Sequence, residues 1–207
     1  MTLREDTRRV RDGRAAIGGG APVSVQSMTN TPTADVNRTL AQIRALEAAG
    51  CEIVRVAVPD AEAAAAVKAI RRGTRLPLVA DVHFDHRLAI AAIVNGADKV
   101  RINPGNIGSD AKVRELAASA RDRGVPIRIG VNGGSLPAHI LERFGGPGPA
   151  ALVEAALEHV AVLEACGFYD MILSLKSSSV PVTVRAYKGI AGRVAYPLHL
   201  GVTEAGH

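Results

Sequence analysis

Residues 98–108 read DKVRINPGNIG, and residues 125–136 read VPIRIGVNGGSL. Each begins as a short β-branched run, breaks at a glycine-rich turn and leads toward an Ala/Leu-rich helical segment. Side chains alternate faces along a strand. In the first stretch Lys99, Arg101 and Asn103 share one face while Val100 and Ile102 share the other. In the second, Arg128, Gly130 and Asn132 oppose Ile127, Ile129 and Val131. A strand buried on both faces is normally apolar throughout. These two have one face suited to covering helices and one that carries cations, which is the pattern of a parallel sheet curled around a polar interior.

The same unit repeats along the chain. Strands are expected over 22–28, 52–58, 77–84, 98–103, 125–132, 170–176 and 196–202. Helices are expected between them over 33–49, 60–72, 85–95, 109–123, 150–165 and 180–191, with a looser stretch over 133–149 holding a short helix. Thr33 or Asp35 and Asp60 stand at N-cap positions, and Gly50, Gly96, Gly124 and Gly167 at stops. Regular β–α alternation implies right-handed crossovers and a parallel sheet, either doubly wound or a (β/α)₈ barrel. No GxGxxG or GxxxxGK[ST] follows any strand, and polar residues gather at the C-terminal ends of nearly all strands. Both features favour the TIM barrel. Seven expected strands leave it truncated before the eighth.

Those strand ends define the candidate site. The cations are Arg55, Arg101, Arg128 and Lys176, expected at matching depth; the carboxylates are Asp81 and Glu204; the neutral hydrogen-bonders are Asn103, Asn132, His83 and His199. Cations outnumber carboxylates, and unpaired buried charge is costly, so a multiply charged anion is the expected partner. A diphosphate matches the bidentate fork of arginine. Asp81 also reads as an ion-pair partner for a neighbouring arginine. The turns at 103–108 and 131–136 offer amides to phosphate or serve as ordinary turns. The glycines of 17–22 read as structural.

Composition narrows the classes further. The chain has 207 residues, 47% hydrophobic and 3% aromatic with no Trp, so its core is built from Ala, Val, Leu and Ile. The net charge is +5, but aromatic platforms for base stacking are scarce and the cations fall on interior faces, which argues against nucleic acid. The mixed charges of residues 4–14 read as a solvated surface. No apolar run reaches the roughly 18 residues of a membrane span, and the N-terminus has no secretory pattern, so a cytoplasmic location is expected. Cys51 and Cys166 have no metal-ligand spacing and read as reduced, buried thiols.

Six ordered blocks, VQSMTNTPTADV, VRVAVPD, PLVADVHFD, DKVRINPGNIG, IRIGVNGGSL and PLHLGVTEAG, span residues 25–206. Together they resemble the barrel domain of the 4-hydroxy-3-methylbut-2-enyl diphosphate synthase family. The resemblance implies a substrate-binding TIM barrel over 1–207 for 2-C-methyl-D-erythritol 2,4-cyclodiphosphate, which is opened reductively with loss of water in isoprenoid biosynthesis. It implies a [4Fe–4S] cluster on a separate C-terminal domain absent from this chain, ferredoxin or flavodoxin as electron donor, and a homodimer. By position in the motifs, Arg55, Arg101, Asn103, Arg128, Asn132 and Lys176 hold the diphosphate, and Glu204 lies near the reacting carbons. A cluster needs several ligands, usually cysteines; with only Cys51 and Cys166, this chain is expected to bind no metal and to be inactive alone. The competing readings are a dihydropteroate-synthase-like barrel, which calls for a buried carboxylate and apolar walls rather than four cations, and a non-catalytic diphosphate-binding module.

Overall fold

Near the N-terminus one carboxylate is buried while its charged neighbours from Arg4 to Arg14 stand exposed. In the computed structural model, which describes residues 4–202, a single helical turn (Arg4–Asp6) leads into an antiparallel hairpin of β1 (Val10–Asp12) and β2 (Ala15–Ile17). Asp12 is fully buried. Its carboxylate takes the ammonium of Lys99, itself 1% exposed, across 87 residues of sequence. The expectation of a solvated N-terminal surface is therefore wrong at Asp12. The alternating signs from Arg4 to Arg14 concealed the one carboxylate that a distant buried lysine requires. The hairpin seats at the end where the parallel strands begin. Gly13 meets Asp98, and the Arg8 amide donates to the Ala195 carbonyl. Gly18, at φ 76°, lies so close to the Arg8 carbonyl that a Cβ there would stand 2.3 Å from its oxygen.

Six parallel strands follow, separated by helices: β3 (Gln26–Met28), α1 (Val36–Ala48), β4 (Ile53–Ala57), α2 (Ala61–Gly73), β5 (Leu78–Asp81), α3 (His86–Val94), β6 (Lys99–Ile102), α4 (Pro104–Ile107), α5 (Asp110–Asp122), β7 (Ile127–Asn132), α6 (Ala138–Phe144), α7 (Pro149–Ala165), β8 (Met171–Lys176) and α8 (Val180–Ala191). The strands are hydrogen-bonded in chain order from β3 to β8. The helix starts follow the local chemistry. Asp35 accepts from the Arg38 amide at 3.1 Å and Asp60 from the Ala63 amide at 2.8 Å, each cap contributing about 1 kcal/mol.

The sheet alternates as its sequence requires. Val54, Val56, Leu78, Ala80, Val82, Val100, Ile102, Ile127, Ile129, Val131, Leu173 and Leu175 belong to one apolar cluster with the inner faces of the helices. Helix α2 meets it with Ala63, Ala64, Val67 and Ile70, one stripe at helical spacing. The alternate strand positions point into the concave interior, which is where the cations stand.

The ends of the curl differ from expectation. The first strand pairs only over Gln26–Met28, while Val23 and Val25 stand 78% and 58% exposed. In place of a seventh strand there is an isolated parallel bridge, Leu173 to Leu198, made by bonds from the Leu173 amide to the Pro197 carbonyl and from the His199 amide to the Leu173 carbonyl. Proline supplies no amide, and among the described residues no strand lies on the far side of this segment to extend a ladder. Between it and β3 runs a cleft of about 770 Å³, which opens sideways onto Arg55, Lys99 and Lys176.

Candidate functional site

The polar floor of the curl is set by strand register. Asp81 pairs in register with Arg101, and Arg101 with Arg128. Ala57, not Arg55, stands opposite Asp81, and Ile172, not Lys176, stands opposite Arg128. The four cations thus occupy several rows, which corrects the expectation of a single depth. Long side chains bring them into one electrostatic neighbourhood.

Asp81 is the hub of the paired half. Its Oδ1 accepts from Arg101 Nη1 at 3.1 Å and lies 3.5 Å from His83 Nε2; its Oδ2 lies 3.5 Å from Arg55 Nε. Burial alone would raise its pKa, but His83, Arg101 and Arg55 together hold it well below the usual carboxylate range. With its amide oxygen turned to the guanidinium, Asn132 accepts from Arg101 Nη2 at 3.1 Å. Arg55 Nε also meets the Met28 sulfur at 3.1 Å.

Arg128 has no such support. It is fully buried, and its Nε and Nη1 have no hydrogen-bond partner among the described residues. Burial first, then Arg55 and Arg101, lowers its pKa to about 9. Lys176, at the end of β8, is lowered to about 8 by burial and by Arg128, Arg55 and Arg101. The His199 ring, pressed by burial and then by Arg128, Lys176, Lys99 and Arg55, falls to about 2 and is neutral at physiological pH. Its backbone carbonyl takes the Tyr187 hydroxyl, which in turn accepts from the Leu175 amide.

The turn after β6 is built into the same wall. Asn103 Oδ1 caps α4 by accepting from the Gly105 amide at 3.2 Å, and its Nδ2 donates to Ser135 Oγ at 3.2 Å. Asn103 thus holds two strand-end turns together. His159, on α7, packs beneath this turn, so close that a Cβ on Gly105 would lie 3.3 Å from its Cε1. Burial lowers the His159 pKa from 6.5 to about 4. A group depressed in the fold contributes its full stability above pH 6.5 and loses it as pH falls toward 4, an effect on the order of 3 kcal/mol. The melting temperature is therefore expected to drop across that window, and His159→Gln to flatten the drop; equal slopes in a pH-resolved melting series would count against it.

Of the predicted residues, Arg55, Asp81, His83, Arg101, Arg128, Asn132 and Lys176 converge on the interior, with Asn103 in its wall. Glu204 lies outside the described residues. Lys99 shares its face with Arg101 but stands outside the cationic set, because Asp12 meets its charge. Gly130 and His159 carried no charge pattern by which to find them.

A family model described as the GcpE TIM-barrel domain matches residues 7–207. The chain belongs to this family. The chain is 55% identical over 206 residues to the 4-hydroxy-3-methylbut-2-en-1-yl diphosphate synthase (flavodoxin) of Caldanaerobacter subterraneus subsp. tengcongensis, with 100% of this chain and 58% of that one covered. It is 58% identical to the enzyme of the same name from Maridesulfovibrio salexigens, again covering 100% and 58%. It spans a little over half the length of these relatives. Among solved structures it is similar in fold to 3-dehydroquinate dehydratase from Geobacillus kaustophilus (TM-score 0.68, 13% identity, 95% of this chain and 79% of that one) and to dihydropteroate synthase from Xanthomonas albilineans (TM-score 0.62, 14% identity, 93% and 76%). Both likenesses concern architecture alone, and that architecture is the expected barrel.

An iron–sulfur cluster finds no home among the described residues of the chain. Cys51 donates its thiol to the Ile53 carbonyl at 3.0 Å and Cys166 to the Val162 carbonyl at 3.1 Å, each turned into its own local backbone. No group of three His, Cys, Asp or Glu side chains there is arranged to hold a metal ion. A four-ligand cluster does not fit this donor set.

Proposed function

We propose that this chain is the substrate-binding barrel of a 4-hydroxy-3-methylbut-2-en-1-yl diphosphate synthase, and that its polar interior holds the diphosphate of a cyclic diphosphate. The observation that carries this reading is Arg128, a fully buried guanidinium whose Nε and Nη1 lack partners among the described residues. Its neighbours Arg55, Arg101 and Lys176 are cations too, and the only described carboxylate among them is Asp81. Such a group is stable only when a ligand supplies the missing negative charge.

In this reading Arg128 and Lys176 meet phosphoryl oxygens directly, while Asp81 and Asn132 hold Arg101 in one orientation before the ligand arrives. Such preorganisation removes ordering cost from the binding step. His83, half exposed at the rim, stands where it can contact substrate. Reductive opening takes up two electrons: the ring C–O bond breaks and leaves its oxygen on the phosphate, and a carbon-bound hydroxyl departs with one proton as water; Glu204 is the chain's candidate for supplying that proton. The reductive chemistry requires a [4Fe–4S] cluster held by residues outside those described, with flavodoxin as donor, following the name its relatives carry. A homodimer belongs to the same proposal. In this reading the described residues serve binding alone, so holding the diphosphate without turnover is the activity expected of this chain by itself.

Calorimetric titration with the cyclodiphosphate tests this. An anion beside Lys176 raises its pKa, so affinity is full below about pH 8 and declines as pH rises through it. Binding above that pH is expected to take up protons, visible as a dependence of the heat on buffer, and Lys176→Met should reduce both the affinity and the proton uptake. A folded chain that does not bind at neutral pH would overturn the reading.

A further inference from the structure

Glycine inside a strand loses packing and conformational entropy, and it persists where something approaches the backbone closely. Gly130 is such a residue. It stands mid-strand in β7, pairs in register with Ser174 on β8, and faces the interior between Arg128 and Asn132. Its φ is not among the positive values that only glycine adopts readily, so the backbone would accept a side chain. The side chain's space is what is missing. A Cβ at this position would lie 2.3 Å from Arg101 Nε, 2.8 Å from Nη2 and 2.9 Å from Cζ. Both nitrogens are nearer than the carbon that joins them, so the methyl would strike the Nε–Nη2 edge of the guanidinium rather than its face.

That edge has consequences for the site. Arg101 is itself opposite Arg128 in register, so its side chain crosses diagonally over β7 to reach Gly130 and then Asn132. From this seat Nη1 reaches Asp81 and His83, and Nη2 reaches Asn132. Arg101 Nε is buried without a partner among the described residues, held against the strand where a side chain would otherwise be.

We propose that Gly130 is a positioning residue of the anion site: its absent side chain is the seat that fixes the Arg101 guanidinium between Asp81 and Asn132. The binding half of this inference rests on the diphosphate reading above. Alanine at 130 displaces the guanidinium, separates it from Asn132 and loosens the Asp81 hub that also restrains Arg55.

A double-mutant cycle on the whole chain tests it, with Gly130→Ala, Arg101→Ala and the pair, using inorganic pyrophosphate as the probe. Gly130→Ala is expected to weaken pyrophosphate about 10- to 100-fold and to lower the melting temperature. In the Arg101→Ala background the same change should leave the dissociation constant unaltered and hold or raise the melting temperature, because alanine then has room. The dissociation constants are measured well below every melting temperature, where destabilisation alone does not move them. Wild-type affinity and melting in Gly130→Ala, or equal losses in both backgrounds, would overturn the seat. If the unmutated chain binds no pyrophosphate, the diphosphate reading falls, and coupling in the melting temperatures still decides whether Gly130 seats Arg101.

Discussion

Arg128→Met is expected to abolish measurable diphosphate binding and, without ligand, to leave the chain as stable as before or more so. The two effects have one cause. A fully buried guanidinium with two nitrogens unpartnered among the described residues is a cost to the empty fold, and burial lowers its pKa to about 9. Replacing buried ionic groups by apolar residues of similar volume is often neutral or stabilising by about 1–4 kcal/mol. When an anion occupies the site, the same guanidinium becomes half of a desolvated charge pair, and losing it costs roughly 2–5 kcal/mol of binding. Calorimetry beside thermal melting of both proteins reads the two quantities. A variant that melts far below the parent would show Arg128 to be structural. One that binds normally would remove it from the site.

The opposite outcome is expected at the other end of the strands. Asp12→Ala should destabilise the chain by about 3–5 kcal/mol, because it leaves the buried Lys99 ammonium without its counter-charge. Burial already lowers the Lys99 pKa, with Asp12 opposing the shift, so without Asp12 the lysine is neutral or the hairpin opens to water. For a chain of this size the loss corresponds to a melting temperature lower by on the order of 10 °C. Pairing Asp12→Leu with Lys99→Met should recover most of it, since no charge is then left buried. A single variant that melts like the parent would mean that the hairpin is not held by this pair. Losing Arg128 therefore costs ligand, and losing Asp12 costs the fold.

This contrast shows what the sequence determines by itself. Alternation along 98–103 and 125–132 placed Arg101, Asn103, Arg128 and Asn132 on one face, because the two-residue period of a strand is local geometry. The order of β–α units fixed a parallel sheet in chain order, because each crossover is short and right-handed. Asp35 and Asp60 announced their helices, because a cap bonds amides only three residues away. From these local rules follow the barrel and the cationic interior.

The rest depends on distances that no local rule supplies. Which strand ends pair in full depends on neighbours, so the expected seventh strand is reduced to one bridge at Leu198. Whether four cations share one row depends on register between strands, which spreads them over several. Gly130 is an ordinary glycine until Arg101 is laid across it. Asp12, one acidic residue among many charges, was legible as surface; a fully buried lysine 87 residues later makes it part of the core. Charge in sequence has a sign but no depth, and burial, which sets what a charge is worth, exists only once the chain has closed around it.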